Sequence, residues 1–191
     1  MDSPRIPIIL ASQSPRRIEL LKTVIKNFRI VPSKIDEVCD INLSPEENAI
    51  LLGRNKATCV AKYHPHNLVI GADTMVVLEN KIIGKPTDIE NARQILRQLS
   101  GQEHKVITGV TVVHSQIFSG ASISRVRIKA LSTREINSYV ESDEPMDKAG
   151  AYAIQGEGSF LVESYSGSYT NIMGLPMELL EDLLQKSNFS I

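Results

Sequence analysis

Tryptophan is absent from the 191 residues, and aromatic side chains make up only 5% of them. Any core must therefore be built from Ile, Leu, Val and Ala. At 42% hydrophobic content there is enough for one sizeable core and not for two independent ones. Cysteine is scarce as well. Cys39 and Cys59 fit no metal-ligand spacing and are too few for a disulfide framework, so a reduced, cytoplasmic chain is expected. Neither sign of charge is in excess: 21 basic residues face 22 acidic ones, for a net charge of −1. This excludes a global attraction to nucleic acid or to an acidic membrane, and any anion site must be local. No apolar stretch approaches the roughly 18 residues of a membrane span. The apolar run after Pro7 is far too short for a signal sequence, so no secretion is expected and the Asn-x-Ser matches at Asn42 and Asn188 carry no meaning.

Several catalytic signatures are also missing. There is no G-x-x-x-x-G-K-[ST], no G-x-G-x-x-G and no G-x-S-x-G, which removes the P-loop, the Rossmann fingerprint and the hydrolase elbow. His64 and His66 flank a proline in a helix-to-strand connection and read as an exposed turn, not a metal pair.

What is present reads as alternating strands and helices. "IPIILAS" has the length and composition of a buried strand. Ser14 then stands as a helix N-cap, with Pro15 at the first helical position and Arg16 and Arg17 in the first turn. "FRIVPS" is a second short strand, followed by the loop "KIDEVCDINLS". Ser44-Pro45-Glu46-Glu47 opens a helix to about Tyr63, expected to bury Ile50, Leu51, Ala57, Val60 and Ala61. "NLVIGADTMVVLENKIIG" predicts a strand, an irregular "GADT", and a second strand turning at Glu79-Asn80. Thr87-Asp88 caps a helix from about Ile89 to Leu99, which Ser100-Gly101 stops. The β-rich runs "HKVITGVTVVH" and "ASISRVRIKAL" follow, joined by a turn at "SQIFSG". Ser132 and Glu135 form a capping box for the next helix. The Gly-rich stretch from Lys148 to Pro176 predicts loop and short strand, and "MELLEDLLQK" a closing helix. With no repeat or linker, the chain reads as a single α/β or α+β domain over 1–191 with a mixed, highly twisted sheet.

Charge placement points to chemistry. Helix N-termini favour acids, so Arg16 and Arg17 lose a few tenths of a kcal/mol there unless an anion uses them. Ser12 and Ser14 add hydroxyl donors at the same turn. Asp73 follows an apolar strand, with Gly71 permitting close backbone approach, and is placed to act as a base or a metal ligand. Asp36-Glu37 in the loop after the second strand supplies the oxygen pair a hard divalent cation takes. Lys85 is held between Gly84 and Pro86, and Lys148 sits beside an acid. Gln155, next to a flexible glycine, can present both donor and acceptor to a base edge. Each residue alone has a plainer reading: solvated loop acids, a turn-capping Asp, an ordinary surface lysine such as Lys56.

Taken together, "LASQSPRRIELL", "IDE", "NKA", "VIGADTMVVLENKIIGKP", "LSGQEHKVITGV", "DKAGAYAIQG" and "GSYTNIMGLP" resemble the Maf-like nucleoside triphosphate pyrophosphatases, in order and from Ile8 to about Leu184. The resemblance implies a Maf/inosine-triphosphatase-like α/β fold: a mixed twisted sheet with flanking helices and two lobes around a cleft. It implies cleavage of a nucleoside triphosphate to the monophosphate and diphosphate with Mg²⁺ or Mn²⁺. By the same resemblance Asp73 is the general base, and Arg16, Thr74 and Gln155 govern base choice. Ser12, Arg17, Lys56 and Lys85 contact phosphate, and Glu37, with Asp73, holds the metal. A homodimer is the assembly it leaves open. The "DKAGAYxIQG" segment resembles the branch acting on dTTP and UTP more than the branch preferring 7-methyl-GTP. A nucleotide-binding regulator of septum formation is the non-enzymatic alternative. Three departures stand out: Ala153 in place of a usual Gly, Ile128 in place of a usual Phe, and no Gly in "VIKNF".

Overall fold

The computed structural model describes residues 6–189. Its strands are β1 (Ile8–Leu10), β2 (Arg29–Ile30), β3 (Leu68–Leu78), β4 (Lys81–Ile83), β5 (Glu103–Val113), β6 (Ile117–Ile128) and β7 (Val162–Ser166). Its α-helices are α1 (Pro15–Val24), α2 (Pro45–Ala61), α3 (Ile89–Leu99), α4 (Thr133–Val140), α5 (Tyr169–Met173) and α6 (Met177–Lys186). Strand order is β2-β1-β3-β5-β6-β7, with β4 paired to β3. The sheet is mixed: β1 runs parallel to β2 and β3, while β3–β4 and β6–β7 are antiparallel.

The chain separates into two compact, interleaved units. The first takes the chain up to Asp73, Thr108–Ser122 and the chain from Gly174 on; the second takes Thr74–Ile107 and Ile123–Met173. The three long strands β3, β5 and β6 each contribute residues to both.

In the first unit Ile9, Ala11, Ala57, Val60, Val69 and Val113 form an apolar cluster. Helix α2 lies on the strands through backbone contacts that only glycine permits. A Cβ on Gly71 would stand 2.5 Å from the Gly53 carbonyl oxygen, and one on Gly109 would stand 2.2 Å from that of Ala49. The sequence singles out Gly71 for such an approach; Gly53 and Gly109 complete it. This seating also sets which side of α2 is buried. Asn48, Ala49, Leu52, Gly53, Lys56, Ala57 and Val60 face inward, while Ile50, Leu51 and Ala61 are only half-buried. The expected stripe was therefore rotated, because the glycine contact and a buried lysine outweigh side-chain hydrophobicity.

In the second unit Val76, Leu96, Leu99, Val126, Ile128, Tyr139 and Leu161 are buried in another apolar cluster. Ile128 is fully buried, as expected of an exchange for a larger core residue. Helix α3 begins where Asp88 accepts a hydrogen bond from the Asn91 amide at 2.8 Å, and Gly101 at φ 71° follows its end. The capping boxes at Ser44/Glu47 and Ser132/Glu135 are both formed. Hydrogen bonds from Ser132 hold the Glu135 carboxyl down at about 2.

Four expectations need correction. β3 runs unbroken through "GADT", because Gly71 and Ala72 fit flat under α2 instead of breaking the ladder. The turn between β5 and β6 is only His114–Gln116, and "IFSG" belongs to β6. Ser14 occupies the N-cap position of α1 without a capping bond; its own amide donates to Ser12 Oγ at 3.2 Å. The Gly-rich stretch holds short 3₁₀ turns and the helix α5 besides its strand. Among the described residues, no helix is long and apolar enough to cross a membrane.

Candidate active site

The centre of the first unit's chemistry is a buried ion pair. Asp73 stands on β3 with 6% of its surface exposed, and Lys56 projects toward it from α2, also 6% exposed. Lys56 Nζ lies 2.5 Å from Asp73 Oδ1 and 2.8 Å from Glu37 Oε1. One ammonium thus bridges two carboxylates. Glu37 reaches the pair from the irregular loop between β2 and α2, and its side chain is 47% exposed. The glycine seating of α2 puts Lys56 there: with larger residues at 53, 71 or 109 the helix could not approach β3 closely enough. A lysine that reads as unremarkable in the sequence is a buried cation in the fold.

The turn between β1 and α1 adds positive charge and a hydroxyl. Ser12 is buried, and Arg17 Nη1 donates to its Oγ at 3.4 Å. Arg17 Nε donates to the Gly174 carbonyl at 2.8 Å, which aims the guanidinium across a long sequence separation. Burial lowers the Arg17 pKa, and the negative charge of Asp73 opposes this; Arg16 lowers it further and Glu37 raises it. Arginine stays charged under all ordinary conditions, so what matters is that both carboxylates lie within electrostatic reach. The Cys39 thiol feels the same acids. Its pKa is pushed up first by desolvation and then by Asp73 and Glu37.

The sequence candidates thus divide. Ser12, Arg17, Glu37, Lys56 and Asp73 are brought together within the first unit, and Arg16 adjoins Arg17 in the first turn of α1. Thr74, Lys85 and Gln155 belong to the second unit. There Lys85 is exposed after β4 and lines a cavity of about 590 Å³ with Lys81, Asn91, Gln98 and Gln102. Gln155 is exposed at the start of the 3₁₀ turn Gly156–Leu161. The glycine beside it meets a backbone requirement. Gly156 has φ 83°, and a Cβ there would stand 2.4 Å from Glu144 Oε1.

The described part of the chain from residue 7 to residue 187 matches the family model for "Maf-like protein". The chain belongs to the Maf family. Among its Maf relatives, the dTTP/UTP pyrophosphatase of Clostridioides difficile (strain 630) is 46% identical over 182 residues, covering 94% of each chain. That of Caldicellulosiruptor saccharolyticus is 44% identical over 191 residues, covering 96% of each. That of Bacillus velezensis is 43% identical over 182 residues, 95% of this chain and 96% of its own. The fold reaches beyond Maf proteins. The structure of the Staphylococcus aureus Ham1 protein aligns with a TM-score of 0.51 over 95% of this chain and 99% of its own, at 15% identity, a likeness of fold alone.

Two residues of this Maf chain escape sequence reasoning. Asn48, 1% exposed, binds the loop that carries Glu37. Glu144 accepts from the Tyr139 hydroxyl at 2.7 Å and from the Gly158 amide at 2.8 Å, bracing the segment after Gln155. The only hints were an asparagine just inside a capping box and an acid directly before Pro145.

Proposed function

We propose that this chain hydrolyses dTTP and UTP to the nucleoside monophosphate and diphosphate. The observation that carries the reading is the buried Lys56–Asp73 pair with Glu37 on the same ammonium, inside a Maf chain whose relatives at 43–46% identity are dTTP/UTP pyrophosphatases. Water adds across a phosphoanhydride; its hydroxyl goes to one phosphorus, and the bridging oxygen leaves with the other fragment. Asp73 takes the proton of that water, a role in which a positioned carboxylate contributes about 10²–10⁴-fold. Lys56 holds the Asp73 carboxylate in place through their ion pair and offers its ammonium to phosphate oxygen. Arg17 and the Ser12 hydroxyl supply further positive charge and hydrogen bonding, fixed in place before substrate arrives. By the Maf motifs, Lys85 contacts phosphate, and Arg16, Thr74 and Gln155 govern base choice.

The residues fit a divalent cation. Asp73 and Glu37 converge on one amine through Oδ1 and Oε1, and carboxylate oxygens of this kind are the hard donors a divalent cation takes. No group of three acidic, His or Cys side chains surrounds a common point among the described residues. A Mg²⁺ or Mn²⁺ ion is commonly held by one or two carboxylates, with waters and substrate phosphate completing its shell. Bound there, the ion would screen the polyphosphate charge and polarise a phosphoryl oxygen. Cys39 and Cys59 are both free, in keeping with a reducing cytoplasm as the place of action.

Diphosphate release from a panel of UTP, dTTP, CTP, GTP and 7-methyl-GTP, with Mg²⁺ or Mn²⁺, tests the reading. Preferred turnover of UTP and dTTP is expected. Preference for 7-methyl-GTP would transfer the chain to the other branch, and binding without turnover would leave a nucleotide-responsive regulator.

A further inference from the structure

Glu37 sits in the stretch between β2, ending at Ile30, and α2, starting at Pro45, which has no regular structure. Its side chain is nearly half exposed, yet its carboxylate is held on Lys56. A partly exposed ion pair contributes at most about 1 kcal/mol, so the path of a long loop also draws on hydrogen bonds to its backbone. Something beside the loop supplies them.

That something is Asn48. Its Oδ1 accepts the Asp40 backbone N–H at 2.8 Å, and its Nδ2 donates to the carbonyls of Asp40 at 2.9 Å, Leu43 at 3.1 Å and Ser44 at 3.2 Å. Two amide protons serve three carbonyls, so one is shared. Both backbone groups of Asp40 are gripped by one side chain. The Asp40 carboxylate then accepts from the Asn42 amide at 2.9 Å and from Asn42 Nδ2 at 3.0 Å, tightening the turn further. At the other end the Val31 amide donates to the Leu10 carbonyl at 3.1 Å. Glu37 is suspended between these two anchors, three residues from Asp40.

Asn48 also shares a helix with the amine that Glu37 must meet. Asn48 and Lys56 lie on the same buried side of α2, eight residues apart, or about 12 Å along a straight helix. The helix acts as one rigid ruler carrying the loop clamp at one point and the Glu37 partner at another. A buried asparagine whose four side-chain hydrogen bonds all go to Asp40, Leu43 and Ser44 does more than a cap requires, since Ser44 and Glu47 already form the capping box of that helix.

We propose that Asn48 is a positioning residue: by clamping Asp40–Ser44 it holds the Glu37 carboxylate on the Lys56–Asp73 pair, and through Glu37 it sets the affinity for a divalent cation. This rests on the role given to Glu37 above. The test is a double-mutant cycle of Asn48→Ala and Glu37→Gln, read by Mn²⁺ binding to the full chain without nucleotide, followed by the electron paramagnetic resonance of free Mn²⁺, and by UTP turnover at saturating Mn²⁺. Asn48→Ala is expected to weaken Mn²⁺ binding by about tenfold, the scale of a lost buried hydrogen-bond set. In the Glu37→Gln background it should change binding little further, since the residue it acts through is gone. Equal weakening in both backgrounds would overturn the inference and leave Asn48 a fold-stabilising residue only. Unchanged Mn²⁺ binding and turnover in Glu37→Gln alone would instead reject the role of Glu37, and this inference with it. Where Asn48→Ala gives too little folded protein, Asn48→Asp completes the cycle: it keeps the acceptor for the Asp40 N–H and removes both donors.

Discussion

Lys56 Nζ lies 2.5 Å from Asp73 Oδ1, and both side chains are more than nine-tenths buried. Removing Lys56 leaves Asp73 as a charge without its ion-pair partner in a dry place, whereas removing Asp73 still leaves Lys56 paired with Glu37. For Lys56→Met we expect a loss of stability of about 3–5 kcal/mol, the cost of an uncompensated buried charge. Adding Asp73→Asn to it should recover part of that loss. Denaturant unfolding of both single variants and the double variant measures the coupling; strict additivity would show that the two charges do not depend on each other.

Asp73→Asn by itself keeps the size and polarity of the side chain and leaves Lys56 its contact with Glu37. The fold should survive, whereas turnover of UTP should fall by at least about 10²-fold, the lower range for a general base. Circular dichroism and diphosphate release on the same preparation check this. A folded variant with near-native turnover would reject Asp73 as the base.

Gly109→Ala tests the seating of α2. The added Cβ would meet the backbone of Ala49 at 2.2 Å and Ile50 at 2.4 Å, and backbone cannot swing aside as a side chain can. Destabilisation of about 1–3 kcal/mol or more is expected from overpacking. Because the shift moves the helix bearing Lys56, turnover of the folded fraction should fall as well. Substitution at Gly84, which meets nothing within 4 Å, serves as the control and should leave stability nearly unchanged.

His104 predicts a pH dependence of stability. It is 3% exposed, its Nε2 shares a 2.7 Å hydrogen bond with the Tyr152 hydroxyl, and its Nδ1 has no partner among the described residues. Burial lowers its pKa to about 4, with the nearby Glu103 charge opposing. A lowered histidine pKa means the unfolded chain binds the proton more readily. Stability is therefore full above the unfolded value of about 6.5, falls as pH drops toward 4, and changes no further below that on this residue's account. The whole effect is about 3 kcal/mol. Melting temperatures from pH 7.5 to 4 should show a steeper fall for the native chain than for His104→Gln; parallel curves would remove His104 as the cause.

Glu144 braces the backbone beside Gln155 through Tyr139, Gly158 and, at 3.3 Å, the Glu157 amide. Glu144→Gln puts an NH₂ where one of these donors points, at a cost of about 1–3 kcal/mol for the unsatisfied group. If Gln155 reads the base, KM for UTP and dTTP should rise more than KM for GTP, with kcat less affected. An equal change for every nucleotide would mean that Glu144 holds the fold and not base selection.

Local sequence determined much of this protein. Pro15 placed the start of α1 through its fixed φ, and Ser44 with Glu47, Ser132 with Glu135 and Asp88 with Asn91 fixed three more helix starts. The capping signals work because their hydrogen bonds close within three or four residues and need no partner from elsewhere. Glu79 and Asn80, at φ 48° and 68°, turned the β3–β4 hairpin where the sequence predicted it. The ordered family motifs named the candidates Ser12, Arg16, Arg17, Glu37, Lys56, Asp73, Thr74, Lys85 and Gln155, because residue type and spacing survive without coordinates. What only tertiary structure decided was which of those groups meet, and through what. Lys56 is buried because Gly53, Gly71 and Gly109 let α2 touch the strands, a contact between segments far apart in the chain. Asn48 and Glu144 gained their partners the same way, from loops whose paths local propensity does not set. A side chain's chemistry is written in its own residue, but its desolvation, its counterion and its hydrogen-bond partners belong to the surroundings that folding brings to it.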